Sequence, residues 1–281
     1  MTALWRQHPV GLVGLGLIGG SIGLDLRALG GQVRALVHRP ATAQRALERG
    51  LADRVDTDPA VLADCGLVVL ALPLDRLLSP DPRLLAALPA GAVVTDVGSV
   101  KAPVRLTWEP LLGSRFVAAH PMAGTNRSGV EAGEPGLFAG RPWVATPGPP
   151  TDPAALQAVA DLATALGAHW ITCDADEHDR AVALISHLPV LVGAALLQTA
   201  AGGGALARSL AAGGFADTTR VGGGNPELGT LMASGNRQAL LSALASYRQV
   251  LARLEDHLQR EQWQELRQDL ETCQRLRPEF L

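Results

Sequence analysis

The sequence predicts an α/β chain in two parts, a helix-wrapped parallel sheet over residues 1–172 followed by an all-helical segment over residues 173–281. Three observations carry this. Short apolar runs bounded by Gly, Pro or Asp alternate with helical patterns in the first part, and a glycine turn joins the first strand to the first helix. No strand pattern survives beyond Asp176. Strand and helix in alternation mark a parallel sheet with crossover helices.

Residues 10–13 read as a buried strand, Gly14-Leu15-Gly16-Leu17-Ile18-Gly19 as a tight turn and residues 21–29 as a helix. A strand over 33–37, a helix over 41–49 and strands over 67–72 and 92–96 follow. Residues 116–119, 143–146 and 169–173 are expected as later strands of the same sheet, with 147–153 as a surface turn. Helices are then expected over 179–199, 237–259 and 262–276, with a glycine-rich interruption after the first. Leu240, Leu244, Leu251, Leu254 and Leu258 fall along one helical stripe. That stripe needs a partner, and a second copy of the chain, giving a homodimer, is the expectation.

The chain has 281 residues, 47% hydrophobic and 18% charged, enough for two ordinary domains. A net charge of −3 and scattered arginines give no basic stripe, so nucleic acid is not an expected partner. Cys65, Cys173 and Cys273 are odd in number and never form a CxxC pair, which argues against disulfides and zinc and for a reducing cytoplasm. Pro9 and Gly11 interrupt the only early apolar run, so no secretory leader is expected. The uncharged run 181–207 is broken by His187, Pro189, Gln198 and glycines and reads as a buried helix, with no membrane expected. The histidines show no metal-binding spacing, so no metal is expected, and His8, His169, His178 and His257 are assigned to the surface. Asp176, Glu177 and Asp179 read as acids at the positive end of a helix.

The glycine turn has a nucleotide-binding form. Gly14 permits the turn, Gly16 admits a pyrophosphate and Gly19 allows close helix packing, while the helix N-terminus offers free N–H groups. NAD sites place an acid at the end of the second strand. Here Val37-His38-Arg39 stands there, and the Arg39 guanidinium, with Thr42 in the next helix, suits a 2′-phosphate, so NADP is the expected cofactor. Leu72-Pro73, Ser99 and His120 follow the third, fourth and fifth strands at their carboxyl ends, the edge where such sheets bind ligands.

These segments resemble the prephenate and arogenate dehydrogenase family, and within it the cyanobacterial type of arogenate dehydrogenase. The resemblance rests on the glycine turn, Asp96-Val97-Gly98-Ser99-Val100-Lys101, His120-Pro121-Met122-Ala123-Gly124-Thr125, Ser186-His187-Leu188-Pro189, Asp217-Thr218-Thr219-Arg220 and the segment Gly222-Gly223-Gly224-Asn225-Pro226-Glu227-Leu228. Asn126-Arg127 departs from the pattern and adds a cation. The resemblance implies a Rossmann-like nucleotide domain and oxidative decarboxylation of a cyclohexadienol, with hydride passing to the nicotinamide, the ring becoming aromatic and carbon dioxide leaving. It implies His120 as the base that takes the hydroxyl proton, Ser99 as its partner, and His187, Arg220, Gly124 and Thr125 on the substrate side. Pro189 is expected to kink its helix, and Lys101, the single lysine, to anchor its loop or approach the cofactor.

Arogenate oxidation to tyrosine is the first reading and prephenate oxidation to 4-hydroxyphenylpyruvate the second, since both use the same His120 chemistry. A non-catalytic NADP-binding sensor is a reading of another class, against which His120 and Ser99 speak. A reductase of β-hydroxy acids or imines would need a lysine in the helical part, and none follows Lys101.

Overall fold

The structure is a computed structural model that describes residues 3–125 and 127–280. Its main sheet contains β1 (Val10–Val13), β2 (Val33–Leu36), β3 (Arg54–Asp56), β4 (Leu67–Leu70), β5 (Val93–Asp96) and β6 (Phe116–Val117). All pairings are parallel and the order is β3-β2-β1-β4-β5-β6, which is the Rossmann arrangement with the order reversing at β1. β1 and β4 are buried on both faces, as expected for central parallel strands covered by helices on each side. One face packs against Ile22, Leu26, Phe138 and Trp143, the other against Leu62, Leu77, Trp108 and Phe116.

Two sheet assignments change. β3 was not anticipated, because a three-residue edge strand with one apolar side chain, Val55, carries too little pattern to read. Of the later strands, residues 116–117 join the main sheet as β6, as expected, but β8 (Pro142–Ala145) and β9 (His169–Thr172) do not extend it: with β7 (Ala119–Pro121) they form a separate three-stranded sheet. The chain leaves β6 at Ala118, and the next amide, Ala119 N–H, is taken by the Asp96 carboxylate at the end of β5 (3.1 Å). β7 then pairs antiparallel with β8, setting His120 opposite Val144, and β9 runs parallel to β8.

Beyond Thr172 the described elements are helical. A rod runs from Ala175–Val182 through a π turn, Ala183–His187, into Leu188–Ala201. The π turn lies directly ahead of Leu188-Pro189, so the distortion expected of Pro189 is a widened turn on its N-terminal side. The glycine-rich interruption holds three further helices, Gly204–Leu210, Gly213–Thr219 and Pro226–Gly235. The last starts where Asn225 accepts the amides of Glu227 (2.9 Å) and Leu228 (3.3 Å), with Pro226 in its first turn. Arg237–Gln259 and Trp263–Leu276 complete the segment.

The 181–207 run is not a buried helix. Its rod, Ala175–Ala201, is long and apolar enough by composition to cross a membrane, yet only 28% of its most apolar window is buried. Leu188 and Ala183 pack on Leu240 and Ala243, but Leu184, Ile185, Leu191 and Leu196 face outward, because the helices of one chain cover only one side of the rod. The leucine stripe divides similarly: Leu240 is buried, whereas Leu251 and Leu258 are exposed.

A nucleotide edge and a histidine cluster

The carboxyl ends of β1 and β2 lie side by side, with Val13 opposite Leu36 and the Gly14 N–H bonded to the Leu36 carbonyl (3.0 Å). Gly14 has φ +96°, and a Cβ there would stand 2.4 Å from the Ala71 carbonyl oxygen; one on Gly19 would stand 2.1 Å from the Gly14 carbonyl oxygen. A Cβ on Gly16 would meet nothing within 4 Å. The two outer glycines therefore let the turn close on strand and helix, and the middle one faces open space. Helix Leu17–Ala28 starts here without a side-chain cap, so Leu17, Ile18 and Gly19 begin a free N-terminus; Leu15 is buried beneath. This cradle fits a dinucleotide pyrophosphate.

His38 and Arg39 are exposed just beyond β2. Arg39 is the N-cap residue of helix Pro40–Glu48, which places Thr42 in its first turn. No carboxylate competes at this corner: Asp56, ending β3, turns its own onto the amides of Thr57 (2.7 Å) and Asp58 (3.1 Å). Leu72 and Pro73 follow β4, Pro73 exposed at the start of Leu74–Leu78.

Lys101 requires a correction. Its ammonium is fully buried, bonded to the Asp96 carboxylate and to the Ala119 carbonyl (2.6 Å), so it anchors the loop and exposes no atom to a nucleotide. Asp96 also accepts Gly98 N–H (2.8 Å) and Ala119 N–H (3.1 Å). Burial pushes the Asp96 carboxyl up and the Lys101 ammonium down, while each partner opposes the other's shift. This clamp ties the loop carrying Ser99 to the strand carrying His120. Ser99 is partly exposed and has no hydrogen bond among the described residues.

His120 is partly buried in β7. Burial first, then the neighbouring His178, Lys101 and His187, hold its imidazole well below the ordinary range, so the ring is neutral at physiological pH. Its Nδ1 meets His178 Nε2 at 3.0 Å, and His178 Nδ1 meets Asp179 Oδ1 at 2.8 Å. His178 is thus not a surface residue: it is 3% exposed, because the helical rod packs its first turns on the nucleotide domain. Asp179 likewise does more than favour its own helix. Its carboxylate accepts Lys101 N–H (2.7 Å) and Ala102 N–H (2.9 Å), capping helix Ala102–Leu112 of the other domain.

His187 is enclosed. Asn236 donates to its Nδ1 (3.2 Å) and to the Asp179 carbonyl (2.7 Å), while His187 Nε2 has no partner among the described residues, and burial pushes the imidazole down to about 4. Nine residues separate His178 from His187, which in a regular helix places them on opposite faces; the π turn changes that phase, and both rings act on His120. Gly124 and Thr125 are exposed after β7, and Thr125 Oγ1 accepts Arg127 N–H (3.2 Å). The Arg127 cation lies 3.8 Å from Glu134, while Asn126 falls outside the described residues. Arg220 is exposed after helix Gly213–Thr219 and makes no ion pair among the described residues. His178, Asp179 and Asn236 went unrecognised from sequence, where only the adjacent His-Asp pair offered a signal.

A Rossmann sheet with a glycine cradle and, following β6 of the same domain, a neutral histidine backed by residues of the helical segment mark an oxidoreductase of the dinucleotide-binding class. Residues 22–172 match the family model "Prephenate dehydrogenase, nucleotide-binding domain" and residues 174–272 match "Prephenate dehydrogenase, dimerization domain". The chain belongs to the prephenate dehydrogenase family. It is 31% identical to the prephenate dehydrogenase of Bacillus subtilis over 89% of this chain and 70% of that one. Among solved structures it is similar to arogenate dehydrogenase of Synechocystis, at 40% identity and TM-score 0.83, covering 97% of this chain and 100% of the other. It is also similar to Aquifex aeolicus prephenate dehydrogenase in complex with hydroxyphenyl propionate and NAD+, at 30% identity and TM-score 0.90, covering 98% of each.

Proposed function

We propose that this protein is an NADP-dependent arogenate dehydrogenase that oxidatively decarboxylates arogenate to tyrosine, a homodimer working in the cytoplasm. The observation that carries the reading is the neutral imidazole of His120, partly open at the edge that also holds the nucleotide cradle, with Nδ1 engaged by His178 and Nε2 left for substrate. His120 Nε2 takes the proton of the substrate's ring hydroxyl. Ser99 orients that hydroxyl from the neighbouring loop, and Gly124 and Thr125 border the substrate. Arg220 offers its planar fork to the substrate's polar end, and His187, fully buried against Asn236, supports the substrate side from behind.

The glycine cradle from Gly14 to Gly19 holds the pyrophosphate, Leu72 and Pro73 border the cofactor, and His38, Arg39 and Thr42 hold the 2′-phosphate. When bound, the nicotinamide supplies the hydride acceptor.

Preference for arogenate is supported by the Synechocystis relative and by the segment Gly222 to Leu228. Part of that segment serves packing: a Cβ on Gly222 would stand 2.2 Å from Ala194 N. Prephenate is the second reading, supported by the Bacillus subtilis and Aquifex aeolicus relatives. The outward leucines of the rod and the dimerization-domain match support the homodimer. Initial rates with arogenate and prephenate, each with NADP+ and NAD+, test the reading. We expect arogenate with NADP+ to be fastest and His120→Asn to lower turnover about 10²–10⁴-fold with nucleotide affinity unchanged. Faster prephenate turnover shifts the substrate assignment; activity on neither leaves a nucleotide-binding sensor.

A further inference from the structure

We propose that Asp179 and His178 together set the tautomer of His120, making them positioning residues that turn the Nε2 lone pair toward the substrate. The inference deepens the reading of His120 as the base and rests on it.

The argument follows the direction of each hydrogen bond. The Asp179 carboxylate can only accept. It is fixed by three donors, Lys101 N–H at 2.7 Å, Ala102 N–H at 2.9 Å and the His178 ring at 2.8 Å, and it lies at the N-terminus of helix Ala102–Leu112, where an anion is favoured. His178 Nδ1 must therefore carry the proton of that contact. In the neutral ring this leaves His178 Nε2 with a lone pair, 3.0 Å from His120 Nδ1. Two lone pairs cannot share a contact of that length, so His120 Nδ1 carries a proton and donates. His120 Nε2 is left unprotonated, the form a general base requires.

The same chain stabilises the product of proton uptake. Once His120 Nε2 has taken the hydroxyl proton, the ring is a cation, and its Nδ1–H points at a lone pair backed by a carboxylate one ring away. His178 and Asp179 are each less than one-tenth exposed, so water does not replace these contacts. The polarity is set from the helical domain: Asp179 and His178 belong to the rod Ala175–Val182, and His120 to β7 of the nucleotide domain. Asn236 fixes the rod at this point by donating to the Asp179 carbonyl (2.7 Å). The base is thus competent only when the two domains are packed together.

Histidine-selective ¹⁵N correlation spectra of the full chain, at a pH where His120 is neutral, test this directly. We expect wild-type His120 to carry its proton on Nδ1, with assignment by the loss of its signals in His120→Asn. In His178→Phe, which removes the acceptor, the proton should move to Nε2 and kcat should fall about 100-fold, with KM and nucleotide affinity within twofold of wild type. His178→Gln places an amide oxygen where the imidazole Nε2 stood, and should restore kcat to within tenfold of wild type and return the Nδ1–H form. A proton on Nε2 of wild-type His120 overturns the proposal, as does wild-type kcat in His178→Phe or equal loss of kcat and nucleotide affinity in both variants. The spectra need no substrate. If neither arogenate nor prephenate is oxidised, the proposed function fails while the tautomer is still read.

Discussion

Replacing Lys101 by methionine isolates the buried clamp beneath the two loops that carry Ser99 and His120. The ammonium has no exposed surface, and its loss removes an ion pair with Asp96 and the donor to the Ala119 carbonyl. Asp96 keeps the amides of Gly98 at 2.8 Å and Ala119 at 3.1 Å, so its charge is left partly compensated. Breaking a buried pair by removing one partner costs about 3–5 kcal/mol. The two surviving hydrogen bonds place Lys101→Met at the lower end, about 3 kcal/mol, which is about 100-fold in the folding equilibrium. A chain of this size should then melt roughly 6–12 °C lower, at about 2–4 °C per kcal/mol. The sign with pH follows from Asp96: without the ammonium, burial raises its carboxyl further, so the folded state favours the protonated form. The deficit is smallest near the ordinary Asp range at pH ~4 and grows as pH rises above it. Urea unfolding of wild type, Lys101→Met and the Asp96→Asn/Lys101→Met double variant at pH 5 and 8 measures this, and the double variant should recover part of the loss. Unchanged stability at both pH values refutes the clamp, and unchanged stability with weakened nucleotide binding would place Lys101 at the cofactor instead.

Arg39→Ala should weaken NADP+ binding about 10–100-fold, the worth of charge-assisted hydrogen bonds, while leaving NAD+ affinity unchanged; equal loss for both nucleotides in a fluorescence titration would remove Arg39 from the 2′-phosphate. Gly14→Ala drives a Cβ to 2.4 Å from the Ala71 carbonyl oxygen at φ +96° and should abolish nucleotide binding, whereas a Kd within twofold of wild type would show that the turn relaxes freely. His120 lies well below its ordinary range and His187 is held near about 4, so both favour the neutral form in the folded state. Their stabilisation is complete above pH ~6.5 and is lost as pH falls from there toward about 4, so the urea midpoint should drop over that window and drop less in His187→Gln, where His120 alone remains; a midpoint that is flat with pH would contradict the burial of the two rings. Ile185→Arg puts a charge on the exposed apolar face of the rod and should give a monomer by light scattering, whereas an unchanged dimer would move the interface elsewhere.

The sequence by itself determined the central strands of the main sheet and the nucleotide cradle. Central parallel strands are continuous apolar runs, and the glycine turn is a short local pattern, in which Gly19 answers the Gly14 carbonyl within the same strand–turn–helix unit, Gly14 the Ala71 carbonyl just beyond β4, and Gly16 leaves space open. It also singled out His120 by its place at a strand end, and the family by the order of short motifs. Only the tertiary structure decided what surrounds that histidine. The departure of β7 into a second sheet follows from Asp96 taking the Ala119 amide, a contact across 23 residues that has no local pattern. Lys101 faces inward because its partners come from β5 and β7. His178 and Asp179 look like an ordinary polar helix start and become part of the site because the rod docks them on the nucleotide domain, with a π turn resetting the helical phase to His187. Local chain chemistry is written in neighbouring residues, whereas burial and hydrogen-bond polarity depend on which distant surfaces meet.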